Sequence, residues 1–178
     1  MTNRLKNKGF TLVELLVVIT IIAIISLVVF INLRSFEEDK ELVAAAANLQ
    51  NFFRLAQTNA TTTVKCGAQT NATWFVTFVE KTRVELGCRL PTATTLSNLS
   101  KRLIFNASIE ISSIEGTSPC SYPVNITYSP LYGLVEFENA NGCVSRSPKV
   151  KVTLKSSTNK MNQTKVVTIN KVGTVNVE

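Results

Sequence analysis

A chain of 178 residues has room for one membrane segment and one modest globular domain, and none for a multidomain enzyme. It contains no histidine and no Gly-rich phosphate loop, and its four cysteines never fall at zinc-finger spacing, so no catalytic role, metal or cofactor is expected. The formal charge of +7 is uneven: Arg4, Lys6 and Lys8 lead the chain, residues 10–143 carry 9 basic against 11 acidic side chains, and residues 144–178 carry 7 basic ones against Glu178 alone.

From Leu12 to Ile31 only Glu14, Thr20 and Ser26 interrupt an apolar run. About 20 residues rising ~1.5 Å each match a hydrocarbon core of roughly 30 Å, which predicts a membrane-spanning helix. The basic leader predicts a cytoplasmic N-terminus and an exported remainder. A secretory signal peptide fits less well: the run exceeds the ~7 to 15 residues of a usual apolar core, and no A-x-A-like site follows. Glu14 needs an explanation, because an acid at the centre of a spanning helix costs roughly 2.5 to 3.5 kcal/mol.

The helical pattern continues beyond Ile31. Phe36, Val43, Ala46, Leu49, Phe53 and Ala56 recur at helical steps, and no Gly or Pro intervenes before Gly67. One helix is expected from about Phe10 to about Asn59. From Thr61 onward the pattern alternates: 73–79, 83–86, 109–114, 124–128, 134–138, 149–154, 165–169 and 174–177 are short β-rich runs separated by turn signals. The fold class is therefore α+β, a long N-terminal helix packed on a mostly antiparallel sheet.

The four cysteines all follow the membrane segment, and an even count in an exported domain reads as two disulfides. A hairpin around "SPLYG" that pairs Tyr128 with Val135 makes opposed residue numbers add to 263, and the same register pairs Ile126 with Phe137 and Cys120 with Cys143. Cys120–Cys143 is the preferred bridge, and Cys66–Cys88 follows by exclusion. The midpoint of the second pair falls at Thr77, inside a strand, so it should tie the segment after the helix to the end of the 83–86 run.

The junction "KGFTLVELLVVITIIAII" resembles the signal of type IV prepilins and type II secretion pseudopilins: a short basic leader ending in Gly, then Phe, then a glutamate at the fifth mature position of an apolar helix. The resemblance implies cleavage between Gly9 and Phe10 by a membrane-embedded prepilin peptidase and N-methyltransferase, with methylation of the new Phe10 amine. It also implies assembly with other pilin or pseudopilin subunits at the inner, cytoplasmic membrane and then in a filament. Glu14 would meet the Phe10 ammonium of a neighbouring helix, so that the cost of burying it selects axial register. Where many pilins carry a proline, the chain reads Phe30-Ile31-Asn32-Leu33.

The implied division is a cleaved leader at 1–9, a transmembrane and assembly half-helix at 10–33, an amphipathic half at 34–60 and an exported β-rich domain at 61–178. The stretch 48–78 is similar to the start of GspH/FimT-type minor pilin domains, in which the helix gives way to a valine-rich strand and then a Trp-containing one.

The functional reading is a structural subunit of a type IV pilus or secretion pseudopilus. The alternative is a DNA-capturing minor pilin. For it, Lys149, Lys151 and Lys155 would form an outward face against inward Val150, Val152 and Leu154 and attract phosphate non-specifically. Against it, no aromatics interleave with these lysines to stack bases. Six N-x-S/T sequons, at Asn59, Asn71, Asn98, Asn106, Asn125 and Asn162, follow from an Asn- and Thr-rich composition.

Overall fold

A computed structural model describes residues 10–90, 98–116, 119–139, 147–157 and 163–178, with side chains excepted at 28–36, 38, 98 and 139. The leader with Gly9, and Cys143, lie outside the described residues. The chain divides into two compact units, residues 1–37 and 38–178, and helix α1 (Leu12–Thr61) contributes to both.

In the first unit, α1 opens on Thr11, whose Oγ1 accepts the Glu14 N–H at 3.2 Å. Thr11-Leu12-Val13-Glu14 is thus an S/T-x-x-E start, and Glu14 stands in the first helical turn. From Phe10 to Leu27 every large apolar side chain is exposed, between 46% and 83%. A helix apolar on all sides calls for an apolar surrounding. Among the described residues no helix is long and apolar enough to cross a membrane.

The second unit holds the core. Leu42, Ala45, Ala46, Leu49, Phe52, Phe53, Ala56 and Ala60 form a buried stripe at helical spacing along α1. Val43 was expected in this stripe but is exposed, and Leu42 replaces it. Leu42 lies seven residues before Leu49, nearly two full turns, whereas Val43 points about 100° further round.

Nine strands follow: β1 (Thr73–Glu80), β2 (Arg83–Arg89), β3 (Asn98–Ile104), β4 (Ile109–Glu115), β5 (Val124–Tyr128), β6 (Val135–Asn139), β7 (Lys149–Ser156), β8 (Thr164–Asn170) and β9 (Val175–Val177). They form a five-stranded sheet in the order β3-β2-β1-β5-β6 and a four-stranded one in the order β4-β7-β8-β9, and every pairing is antiparallel. Eight strands coincide with the alternating runs; β3, "NLSKRLI", carries no such alternation and was not expected.

The residues after the helix do not form the valine-rich strand that the resemblance implied. Thr62–Ala72 is a chain of turns, with left-handed backbone at Thr63, Gly67 and Asn71.

The β5–β6 register is the expected one: Tyr128 faces Val135, Ile126 faces Phe137 and Val124 faces Asn139. Its loop is closed by Ser129 N–H to Leu134 O at 2.9 Å and is anchored to the helix end by Leu131 N–H to Ala60 O at 3.2 Å. Gly133, at φ +62°, is required there, since a Cβ would stand 2.7 Å from Thr61 Cγ2.

Cys66 and Cys88 form a disulfide that joins the turn segment to the end of β2, and both are buried. The loop closed spans 22 residues, so replacing both cysteines by alanine is expected to cost about 3 kcal/mol on the chain-entropy account. Urea denaturation of the purified full chain checks this, and a midpoint unchanged from wild type would show the bridge to be dispensable. Cys120 is itself disulfide-bonded, but Cys143 is not among the described residues.

Candidate functional site

Two places carry the residues singled out from the sequence. The first is the start of α1. Phe10 is the most exposed of the described large apolar residues, at 83%, and precedes Thr11, the helix cap. Glu14 lies on the first turn, so its carboxylate meets the positive end of the helix dipole, a contribution of about 0.3 to 1 kcal/mol. Its position is thereby explained locally, by a capping pattern that the sequence also shows but that the intramembrane reading passed over. The first turn brings Phe10, Thr11 and Glu14 together in one chain. The arrangement presents an exposed Phe10, an acid one turn later and an uncovered apolar surface, which is what a helix needs to dock on another helix.

The second place is the outer face of the four-stranded sheet. Lys149 and Lys151 are exposed and Lys155 is half-buried on β7, alternating with fully buried Val150, Val152 and Leu154. The lysines do not stand alone. Lys155 Nζ lies 2.9 Å from Glu110 Oε1 on β4, and Lys151 faces Glu115 in register. The Lys155 hydrogen bond is the main reason that the Glu110 carboxyl is held below the usual carboxylate range. Partial burial opposes that shift, and the charges of Lys155 and Lys81 add to it. Burial, helped by the negative charge of Glu110, pushes the nearby Tyr122 phenol up to about 12. A groove of about 310 Å3 is lined by Glu115, Ser147, Lys149 and Lys151. Cross-strand carboxylates thus lie opposite two of the three lysines, Lys155 in a surface ion pair worth little by itself, and the mixed charge is a poor match for a run of phosphates.

Among the described residues no group of His, Cys, Asp and Glu is arranged to hold a metal ion. Asn125 accepts a hydrogen bond from Thr77 Oγ1 at 2.8 Å across β1 and β5, so this sequon asparagine is engaged in the sheet.

Residues 4–30 match the prokaryotic N-terminal methylation motif. No curated protein and no solved structure matches the chain. The motif takes in the basic residues from Arg4, the Gly9–Phe10 step and the apolar start of α1, and it supports a type IV pilin-like or pseudopilin protein, a structural class for which processing by a prepilin peptidase and assembly with other pilins are implied.

Proposed function

We propose that this chain is a structural subunit, a minor pilin or pseudopilin, of a type IV pilus or type II secretion pseudopilus. The observation that carries the reading is the methylation-motif match over residues 4–30. The uncovered apolar surface from Phe10 to Leu27 supports it, because such a surface needs lipid or neighbouring helices. In this reading the segment 10–33 spans the inner membrane before assembly and residues 61–178 are exported. Cleavage falls between Gly9 and Phe10, Phe10 is N-methylated, and Glu14 pairs with the Phe10 ammonium of the next subunit.

The second bridge, Cys120–Cys143, belongs to the same proposal. The β5–β6 register, which ends where Val124 faces Asn139, has the offset on which that pairing was expected, and Cys120 is disulfide-bonded. Kinship of the exported part with GspH/FimT-type minor pilins rests on the helix that leads to a Trp-bearing strand, β1. The DNA-capturing role keeps little support, because Glu110 and Glu115 interrupt the lysine face.

The processing step is directly testable. Intact-mass and N-terminal analysis of the membrane-extracted protein should show a mature chain that begins at Phe10 with a methylated amine, and Gly9 replaced by a bulky residue should leave the uncut precursor in the membrane. A mature N-terminus after residue 25 would instead mark an ordinary signal peptide and remove the pilin reading.

A further inference from the structure

The five-stranded sheet ends in two edge strands, β3 on one side and β6 on the other, and they differ in charge. β3 carries Lys101 and Arg102, both exposed; β6 carries Glu136 and Glu138. Each edge lies beside an open groove. One of about 450 Å3 is lined by Lys101, Arg102 and Leu103 together with Asn48, Asn51 and Leu55 of α1, and one of about 440 Å3 by Leu134 to Glu138 and Lys171.

The hydrogen-bond phase shows which backbone groups each edge offers. Phe105 N–H donates to Thr82 O, so in the β2–β3 register Leu103 also points its backbone groups at β2, while Ile104 and Arg102 point theirs to the free side. Ser129 N–H donates to Leu134 O, so Glu136 and Glu138 face β5, while Phe137 turns outward, as does Val135, whose N–H reaches Lys171 O at 3.0 Å. β3 therefore presents the backbone of Arg102 and Ile104 to a newcomer and β6 that of Phe137, the Val135 N–H being taken by Lys171 O.

We infer that β6 of one copy pairs with β3 of the next copy in the assembled filament, extending the sheet from subunit to subunit. This rests on the proposed assembly. Three observations select a second copy, in this arrangement, as the occupant. Like edges repel: β3 against β3 sets cations together and β6 against β6 sets carboxylates together, whereas β6 against β3 places Glu136 and Glu138 on the same face as Arg102. Arg102 engages Glu85 through Nε at 3.0 Å, and a guanidinium has further donors for a second carboxylate.

The strand directions also agree. With every pairing in the sheet antiparallel, β3 and β6 both run parallel to β1, so side-by-side copies of the same orientation pair as parallel strands without inversion. Such a contact is heterologous and does not close on itself, as a filament requires. Finally, one added strand falls well short of the roughly 1,200 Å2 of a stable free complex, so the contact forms between copies already concentrated by their helices.

The test uses the full chain in its own membranes, with a benzophenone-bearing residue in place of Ile104, which is 64% exposed on β3. A second version carries the same group in place of Val17, on the apolar surface of α1, to report helix-mediated assembly. Irradiation at position 104 should give an adduct between copies whose partner peptide contains residues 135–139. Arg102→Glu alone, or Glu136→Lys with Glu138→Lys, should lower its yield about fivefold, and the three changes together should restore it to within about twofold. Formation of the Cys66–Cys88 bridge, read on a non-reducing gel, confirms that each variant folds; if Arg102→Glu fails this, Arg102→Gln takes its place.

An adduct from position 17 with none from position 104 overturns the edge pairing and leaves the assembly reading intact. So does an adduct from 104 to another segment or another protein, or a yield that ignores both charge changes. No adduct from either position overturns the assembly reading and the edge pairing with it.

Discussion

Glu14→Val should leave cleavage and membrane insertion intact yet cut incorporation into filaments at least about tenfold, in cells whose other subunits are normal, because pairing energies of a few kcal/mol are lost with the charge. Removing an acid from an apolar helix makes insertion easier by roughly 2.5 to 3.5 kcal/mol at most, so the membrane pool should not fall. Local helix stability changes less: loss of a first-turn acid costs about 0.3 to 1 kcal/mol, small for a 50-residue helix. The two explanations of Glu14, a helix-capping residue and an assembly charge, are separated by Glu14→Gln. Glutamine preserves the Thr11-x-x-Gln capping pattern but carries no charge. If the charge meets a neighbour's Phe10 ammonium, both variants fail to assemble; if only capping matters, Glu14→Gln assembles and Glu14→Val does not. The measurement is the ratio of sheared filament to membrane-bound subunit, and normal ratios for both variants would end the register role.

The residues that the sequence made legible are those whose signal is local. Alternation located eight strands, and the β5–β6 pairing was readable because its turn, its apolar face and its polar face agreed on a single offset. The Cys66–Cys88 bridge was reached by exclusion, and its placement at the end of β2 followed from its midpoint at Thr77, inside a strand. The lysine alternation on β7 was equally plain.

What the sequence did not show depends on residues brought together from a distance. Glu110 and Glu115 approach the lysines only because β4 pairs with β7, more than thirty residues on. β3 was missed because Leu99, Leu103 and Ile104 do not alternate, and a bulge between Leu86 and Gly87 changes which of its residues face the core. An edge strand also tolerates charge that an inner strand would not, which hides it from a search for apolar runs. Thr62–Ala72 misled in the other direction. The minor-pilin resemblance implied a valine-rich strand there, but left-handed positions at Gly67 and Asn71, together with the Cys66 tether, bend it into turns.

Phe53→Ala should be the most destabilising single change in the second unit, with a loss of about 3 to 5 kcal/mol. Phe53 is fully buried on α1, and its ring centroid lies 6.0 Å from that of Phe78 on β1 at a tilt of 48°, so truncation removes both a large apolar surface and an aromatic pair that clamps the helix to the sheet. A domain of ordinary stability has about 5 to 15 kcal/mol in total, so this one change removes roughly a third to a half of it in the middle of that range. Phe53→Leu, which fills much of the same volume, should cost less, and Val43→Ala, one helical face away and exposed, should stay within about 0.5 kcal/mol. Trp74 is the chain's single tryptophan, is buried and lies on the strand that also carries Phe78, so its fluorescence reports the unfolding of this core directly in a denaturant series. A midpoint for Phe53→Ala equal to that of Val43→Ala would mean that the second half of α1 is not part of the core. The expected pattern also separates the two units: Phe10 and Glu14 belong to the first, so the Phe53→Ala chain should still be cut before Phe10 while its exported part loses protection against protease.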